Sequence, residues 1–314
     1  MNEKILVTGG AGFLGSHLCE KLLKEGYRVR IMDSFASGRE SNLDTNQKNM
    51  ELLRGSISDE AVVNEACHGV NAVIHAAFPM TLRERDLNSR VVSDVLTGLF
   101  NVIKGALNNN ALLVYISSIA VYGNQQLTPI DERHPLEPVL LHGALKLAGE
   151  EFCRVLSKSH GLRAVILRVA DIYGPRNTRV SVPIRFLQQA LKNEPITVYG
   201  DGTQSRTYTY VEDFSAAMTG VLSVPAVEGK ILNLSADQSI SMYELAQLVK
   251  QVTGSKSEIR MLSDAAIEDR KLIIDNRKFK QLLGFKPSFD MEQGLALTAK
   301  WLKENPDFYN MPAK

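Results

Sequence analysis

Short apolar runs alternate with longer amphipathic segments through the first half of the chain. These runs lie at 5–7, 29–32, 50–53, 72–75, 112–116 and 164–167. Their length and their few polar interruptions predict buried parallel strands. Helical periodicity between them predicts helices near 14–25, 59–67, 86–108 and 142–158. Repeated strand–helix units predict an α/β fold, a doubly wound parallel sheet with right-handed crossovers.

The pattern changes after about residue 176. The elements there are shorter and are separated by prolines, at Pro183, Pro195 and Pro225. The segment from about 236 onward is mostly helical and polar. We therefore predict a first domain over 1–176, to which a segment near 205–235 returns. The remainder of 177–314 is predicted to form a smaller lobe.

Composition narrows the class of protein. The chain has 314 residues, 44% hydrophobic and 23% charged, as an ordinary globular enzyme does. Its net charge of +1 does not point to nucleic acid or a membrane surface as a partner, and no apolar run is long enough to span a membrane. Cys19, Cys67 and Cys153 match no metal-ligand spacing, so we predict reduced core thiols and no metal site. The chain enters a strand almost at once, leaving no room for a signal peptide, and we expect a cytoplasmic protein.

A glycine-rich turn follows the first predicted strand. Gly9, Gly12 and Gly15 have the spacing G-x-x-G-x-x-G, with a strand before them and a helix starting near Gly12. Glycine permits positive φ and close approach of a pyrophosphate to the backbone. The helix then directs its unpaired N–H groups and the positive end of its dipole at that group. This arrangement predicts a Rossmann-type dinucleotide site.

Asp33, at the end of the second predicted strand, specifies the dinucleotide. A carboxylate there accepts hydrogen bonds from ribose hydroxyls and repels a 2′-phosphate, which favours NAD over NADP. Arg39 lies nearby in the sequence and weakens this preference slightly.

Further motifs extend over nearly the whole chain. They are Thr8-Gly-Gly-Ala-Gly-Phe-Leu-Gly15, Asp33-Ser-Phe-Ala-Ser-Gly38, His75-Ala-Ala77, Ser117-Ser-Ile-Ala-Val-Tyr-Gly123, Leu167-Arg168 with Tyr173-Gly-Pro-Arg176, and Tyr199-Gly-Asp-Gly-Thr-Gln-Ser-Arg206 with Tyr210-Val-Glu-Asp213. Together they resemble the extended short-chain dehydrogenase/reductase family, which comprises the NAD-dependent nucleotide-sugar epimerases and dehydratases.

The resemblance implies a Rossmann domain, a small sugar-nucleotide lobe and a homodimer. The dimer would form a four-helix bundle from the helices near 86–108 and 142–158. The residues implied for NAD binding are Gly9, Gly12, Phe13, Leu14, Gly15, Asp33, Ser34, Ser37, Gly38, Ser56, Ile57, Ala76, Ala77 and Lys146.

The family's catalytic groups are a Ser or Thr, a Tyr, and a Lys four residues after the Tyr. By resemblance, Ser118 orients the reacting oxygen and Lys146 holds the nicotinamide ribose. His142, not a tyrosine, stands four residues before Lys146. Residues at i and i+4 share one face of a helix, so both side chains are expected to face one pocket.

Three interpretations of His142 remain open. In the first it is the proton acceptor, because a neutral imidazole beside a lysine cation is basic without forming a phenolate. In the second it binds substrate or cofactor while Tyr122 or a substrate hydroxyl moves the proton. In the third the redox step has been lost or the chemistry lies outside the family.

The substrate side departs from the family pattern in two places. Asp171 stands where the family often has an asparagine facing the substrate diphosphate, and a carboxylate there repels phosphate unless it is protonated or paired. Ser56 stands where an aspartate usually contacts adenine. Arg206 and Arg270 are predicted diphosphate ligands by resemblance, since arginine binds phosphate bidentately. Phe78 begins a loop predicted to contribute to the substrate pocket.

The leading hypothesis is an NAD-dependent epimerase or dehydratase of a UDP- or dTDP-sugar, which moves a hydride transiently to bound NAD. One alternative is a reductase or dehydrogenase of a ketone, which consumes the cofactor stoichiometrically. Another is a non-catalytic module that binds NAD, motivated by His142 and Asp171.

Overall fold

The computed structural model describes residues 3–79, 88–179, 181–262 and 272–309. The strands of these residues are β1 Lys4–Thr8, β2 Arg28–Asp33, β3 Met50–Arg54, β4 Ala72–His75, β5 Leu112–Ser118, β6 Ala164–Val169, β7 Asp171–Tyr173, β8 Ile196–Tyr199, β9 Ser205–Tyr210, β10 Ile231–Leu234, β11 Ser239–Ser241 and β12 Ile259–Leu262. The α-helices are α1 Phe13–Lys24, α2 Glu60–Cys67, α3 Ser89–Asn108, α4 Leu141–His160, α5 Val182–Leu191, α6 Val211–Ser223, α7 Met242–Thr253, α8 Arg277–Leu283, α9 Met291–Glu304 and α10 Pro306–Tyr309.

A seven-stranded sheet in the order β10-β6-β5-β4-β1-β2-β3 forms the centre of the fold. Every neighbouring pair in it is parallel. The chain winds outward from β1 in both directions, which confirms the prediction of a Rossmann-type doubly wound sheet. All six strands predicted from the sequence are present, and each contains the predicted run.

Two apolar cores cover the faces of this sheet. On one face, Leu18 and Leu22 of α1 and Phe214 of α6 pack with inward side chains of the strands. On the other, Leu99 of α3 and Cys153 of α4 contribute to a second buried cluster. The four predicted helices correspond to α1–α4, since amphipathic helices between parallel strands bury their apolar faces on the sheet.

The second half of the chain builds a lobe with its own apolar core. A three-stranded sheet, β11-β9-β7, and a two-stranded sheet, β12-β8, pack with α5, α7 and α9. Pro183 lies in the first turn of α5, and Pro195 directly precedes β8. The predicted returning segment is divided: β9 belongs to the lobe, whereas α6 packs on α1 and β10 pairs with β6 of the central sheet.

The cysteines and the helices also bear on predictions from the sequence. Cys19, Cys67 and Cys153 are all buried free thiols, as expected of core cysteines. Within the ranges that the structure describes, we find no helix with the length and apolarity needed to cross a membrane.

Candidate active site

The glycine turn after β1 is tightly constrained by its own backbone. Gly9 has a φ of +70°, and a Cβ on it would lie 2.7 Å from the Cα of Ala77. A Cβ on Gly15 would lie 2.2 Å from the carbonyl oxygen of Gly9. Only hydrogen fits at these two positions, so the turn can close as it does only with glycine.

The amino terminus of α1 opens from this turn. Gly12 is its N-cap residue, and among the described residues no side chain caps it. A Cβ on Gly12 would have one neighbour within 4 Å, the oxygen of Gly9 at 3.2 Å. The first N–H groups of α1, with Phe13 and Leu14 in its first turn, are therefore available to an anion, as a dinucleotide pyrophosphate requires.

Asp33 is held in place by the backbone around it. One carboxylate oxygen accepts a hydrogen bond from the Ala11 amide at 2.9 Å, and the other accepts one from the Phe35 amide at 2.7 Å. A Cβ on Gly38 would lie 2.9 Å from both carboxylate oxygens, so Gly38 leaves room above the carboxylate. The remaining lone pairs of Asp33 can accept ribose hydroxyls. These residues fit the NAD that the sequence predicts.

The loop after β4 is fixed to β1 beside the glycine turn. The Thr8 hydroxyl bonds His75 Nδ1 at 2.9 Å and accepts from the Ala77 amide at 3.3 Å, while the Ala76 amide donates to the Thr8 carbonyl at 3.2 Å. Burial lowers the pKa of His75 to about 3, so this ring is neutral and structural. The loop is therefore held where the predicted cofactor path runs.

The other predicted cofactor residues lie on two loops at the same edge of the sheet. Ser34 and Ser37 are exposed after β2, and Ser56 is exposed after β3, where its hydroxyl accepts from the Ser58 amide. Ile57 is half-buried, and its carbonyl accepts from the Asn101 side chain of α3. The carboxyl ends of β1, β2, β3 and β4 thus carry every predicted cofactor residue but one.

Lys146, the remaining one, is buried on α4. Its ammonium donates to the Ile116 carbonyl of β5 at 2.7 Å and lies 4.4 Å from the centroid of the Phe78 ring. The Tyr115 ring lies on another side at 5.4 Å. Burial lowers the pKa of Lys146 to about 7, opposed by the charge of Glu150.

His142 lies one turn before Lys146 and packs against the same aromatic ring. The His142 and Phe78 rings meet edge to face, with centroids 4.9 Å apart. Burial, then the charges of Lys146 and Arg179, lower the pKa of His142 to about 4. The lowering of this pKa by Lys146 is as expected from the sequence, and Arg179 adds to it. At neutral pH the imidazole is therefore uncharged and has a lone pair to accept a proton.

Ser118 ends β5, two residues after the carbonyl that Lys146 contacts. It is half-buried, and its hydroxyl accepts from the Ala120 amide at 3.1 Å. Helix α4 packs closely on this turn at Gly143, where a Cβ would lie 2.4 Å from the Ala120 carbonyl oxygen. The glycine beside His142 thus lets the helix approach Ser118.

The predicted substrate residues of the lobe form an ion pair. Asp171 and Arg206 lie on neighbouring strands, β7 and β9, with 3.7 Å between carboxylate oxygen and guanidinium nitrogen, and both are partly exposed. Because Arg206 offsets its charge, the Asp171 carboxylate can lie near a phosphate. Arg270 falls outside the described residues.

A buried polar network behind α4 was missed by sequence reasoning. Arg168 makes a two-pronged ion pair with Glu150, whose oxygen also accepts from the Ser117 hydroxyl. Arg168 donates to the Tyr122 hydroxyl, which in turn donates to Asn233. Burial raises the pKa of Tyr122 to about 12, and its hydroxyl is engaged on both sides, which argues against Tyr122 as the proton acceptor. An arginine inside the apolar strand β6 was the signal that could have revealed this network.

Arg179 was also missed. It lies in the turn before α5, where the Asn177 side chain accepts from its amide at 3.0 Å, and its charge acts on His142. A single arginine in a polar loop carries no periodic or motif signal, so nothing in the sequence distinguished it.

Known proteins are similar to this chain over nearly its whole length. The model of the NAD dependent epimerase/dehydratase family matches residues 5–235. The UDP-N-acetyl-alpha-D-glucosaminuronate decarboxylase of Bacillus cytotoxicus is 30% identical over 325 residues, covering 97% of this chain and 99% of that protein. The crystal structure of Thermotoga maritima UDP-glucose 4-epimerase with UDP-glucose has a TM-score of 0.88 at 28% identity, covering 96% of this chain and 99% of its own. The dTDP-glucose 4,6-dehydratase of Streptomyces venezuelae with NAD bound has a TM-score of 0.89 at 26% identity, covering 99% and 100%.

Proposed function

This chain belongs to the NAD dependent epimerase/dehydratase family, and from that premise we propose that it acts on a nucleotide-activated sugar, UDP- or dTDP-linked. The reaction is an epimerisation, or a dehydration or decarboxylation that begins in the same way. One observation carries this proposal. The uncapped amino terminus of α1, which can bind an anion, lies at the same edge of the sheet as Ser118, His142 and Lys146. In parallel α/β sheets, ligands bind outside the carboxyl ends of the strands.

The cofactor site consists of the glycine turn, Asp33 and the loops after β2, β3 and β4. The N–H groups at the start of α1 would hold the pyrophosphate, and Asp33 would accept the adenosine ribose hydroxyls. When bound, NAD supplies a hydride acceptor that is regenerated in each cycle. Lys146 would hold the nicotinamide ribose and place positive charge beside the reacting hydroxyl.

His142 takes the proton from the sugar hydroxyl that is oxidised. Its low pKa of about 4 keeps the lone pair available at neutral pH, and Ser118 orients the same hydroxyl by hydrogen bonding. General-base catalysis of this kind contributes about 10²- to 10⁴-fold in rate. The Lys146 ammonium opposes protonation of His142, so the proton returns readily to the substrate when the hydride returns.

The lobe binds the nucleotide diphosphate. Arg206 is half-exposed on β9, and its partner Asp171 follows β6, whose last residue lies beside Ser118 in the sheet register. The Arg206 guanidinium lies 3.7 Å from the Asp171 carboxylate, and a bound diphosphate would replace this contact with stronger charge-assisted hydrogen bonds. In this proposal, residues 1–169 with α6, β10 and α8 form the cofactor domain, and β7 with the remaining elements forms the lobe.

Helices α3 and α4 are the proposed homodimer interface. Phe100 and Val155 are 49% and 47% exposed on these helices, and the Phe100 ring contacts Phe152 of α4 edge to face. Two copies of an exposed helix pair can bury such side chains in a four-helix bundle with twofold symmetry. Phe100→Glu should convert the dimer to a monomer in sedimentation, while the wild type stays dimeric at the same concentration.

A panel of UDP- and dTDP-sugars tests the proposed function. Protein denatured after purification should release NAD, and product analysis by NMR should show one sugar inverted, dehydrated or decarboxylated without net formation of NADH. Steady net oxidation or reduction would indicate the dehydrogenase alternative. If the panel gave neither binding nor turnover, the proposal would be wrong and the non-catalytic alternative would stand.

A further inference from the structure

Two arginines lie around Asp33, and both are engaged by other groups. Arg54 is the register partner of Asp33 at the end of β3, and Arg39 follows Gly38. The guanidinium of Arg54 lies 4.4 Å from the centroid of the Phe35 ring and 2.6 Å from a Glu40 carboxylate oxygen. The Arg39 guanidinium lies 4.1 Å from the centroid of the Phe308 ring.

Phe308 belongs to α10, which reaches the cofactor loop from the lobe. Its ring is buried and packs on Trp301 of α9 with centroids 4.6 Å apart. The Gln188 side chain of α5 donates to the Phe308 carbonyl at 3.1 Å. The ring is therefore a fixed platform, and a guanidinium stacked on it is held by cation–π attraction.

The backbone of Arg39 stays close to the ribose side of the cofactor site. Its amide donates to the Ala11 carbonyl at 3.0 Å, and the amide of the same Ala11 donates to Asp33. An arginine at such a place is the group that accommodates the 2′-phosphate in NADP-binding proteins of this fold. Here the side chain leaves that region to lie on Phe308.

We propose that Phe308 is a specificity-determining residue: by holding Arg39 on its ring, it removes the cation that would otherwise bind a 2′-phosphate. Glu40 and Phe35 act on Arg54 in the same way. The preference for NAD over NADP then has two components, repulsion by Asp33 and sequestration of both arginines. The proposal rests on NAD binding at the glycine turn.

Binding titrations with NAD⁺ and NADP⁺ test this without turnover. Asp33→Ser removes the repulsion and provides a background in which NADP⁺ binds measurably. In that background, Phe308→Leu should strengthen NADP⁺ binding by about fivefold while NAD⁺ binding stays within twofold, the size expected for one cation–π contact released. Adding Arg39→Gln should abolish the gain. Arg39→Gln with Phe308 intact should change NADP⁺ affinity less than twofold.

Three results would overturn the proposal: no gain from Phe308→Leu, a gain that survives Arg39→Gln, or loss of NADP⁺ affinity from Arg39→Gln alone. Phe308→Met in the Asp33→Ser background, which removes the ring but keeps a long apolar side chain, provides a second test should Phe308→Leu unfold. It should also strengthen NADP⁺ binding, and no gain would overturn the proposal. Glu40→Gln tests the role of Glu40 on Arg54 in the same way. Failure of the wild type to bind NAD⁺ would instead refute the proposed function.

Discussion

The cofactor side and the catalytic side of this molecule are built by different means. On the cofactor side, the glycine turn leaves the first N–H groups of α1 open to a ligand, and Asp33 is itself held by two backbone amides. On the catalytic side, burial lowers the pKa values of the His142 and Lys146 side chains, and the charge of Lys146 lowers that of His142 further. A site made of backbone depends on shape, whereas a site made of buried charges depends on the dielectric and on distant neighbours.

This difference implies that the two sides can be damaged separately. The glycine turn contacts Ala77 and nearby backbone, whereas the catalytic groups lie on β5 and α4. Variants of His142 should therefore leave NAD binding intact, and variants of the glycine turn should leave the arrangement of Ser118 and His142 intact. Lys146, which would also hold the nicotinamide ribose, belongs to both sides.

His142→Ala has the largest expected effect on turnover. Removing the proposed base should lower kcat by about 10²- to 10⁴-fold, the usual contribution of general-base catalysis. NAD content after purification should stay at the wild-type level, as measured by release on denaturation. His160→Ala, at the exposed carboxyl end of the same helix, is the matched control and should retain wild-type kcat. Loss of NAD in His142→Ala would show that the two sides are not separable.

Gly15→Ala tests the cofactor side. Its Cβ would lie 2.2 Å from the Gly9 oxygen, so the turn must shift. Strain of about 1–3 kcal/mol should weaken NAD⁺ binding by about five- to a hundredfold in calorimetry. Gly220→Ala in α6 is the control, because its Cβ would meet one atom at an ordinary 3.7 Å. An unchanged Kd for Gly15→Ala would contradict the backbone account.

The pH profile sharpens the catalytic side. Protonated His142 cannot accept a proton, so kcat/KM should rise with pH through the pKa of about 4. Lys146 loses its charge as pH rises through about 7, so activity that uses this charge should decline above that pH. The measurement is kcat/KM from pH 4 to 9 against binding of NAD⁺ over the same range. A profile that still rises above pH 7 would indicate a base of higher pKa than His142.

Asp171→Asn has the smallest expected effect. The substitution frees Arg206 from its ion pair and removes a negative charge that repels phosphate. The interaction energy of a partly exposed ion pair of this kind is about 0.2–1 kcal/mol. Binding of UDP should therefore strengthen by about 1.5- to fivefold. Glu228→Gln, which breaks a similarly exposed pair with Arg163 at 2.9 Å, is the control and should have no effect. Weaker UDP binding in Asp171→Asn would mean that the carboxylate itself contacts the ligand.

The cofactor side could be predicted from the sequence more completely than the tertiary contacts around the catalytic and substrate residues. The sheet and the glycine turn could be predicted because their signals, apolar runs and glycine spacing, are local in the chain. The contacts of Arg39 with Phe308 and of Asp171 with Arg206 join residues from separate elements, and so does the effect of the Arg179 charge on His142. No local pattern encodes such contacts, because tertiary packing brings their partners together. The pairing of β9 with β7 instead of the central sheet has the same origin.

The central claim of the proposal is that His142 takes the place of the family's catalytic tyrosine and, with Lys146, supports reversible hydride transfer. It is tested most directly with a nucleotide sugar that carries deuterium at the oxidised carbon. The account predicts that wild-type protein converts it to a product that keeps the deuterium, because the hydride returns to the molecule it left. Loss of the label to free reduced cofactor, or no conversion by protein shown to contain NAD, would contradict it.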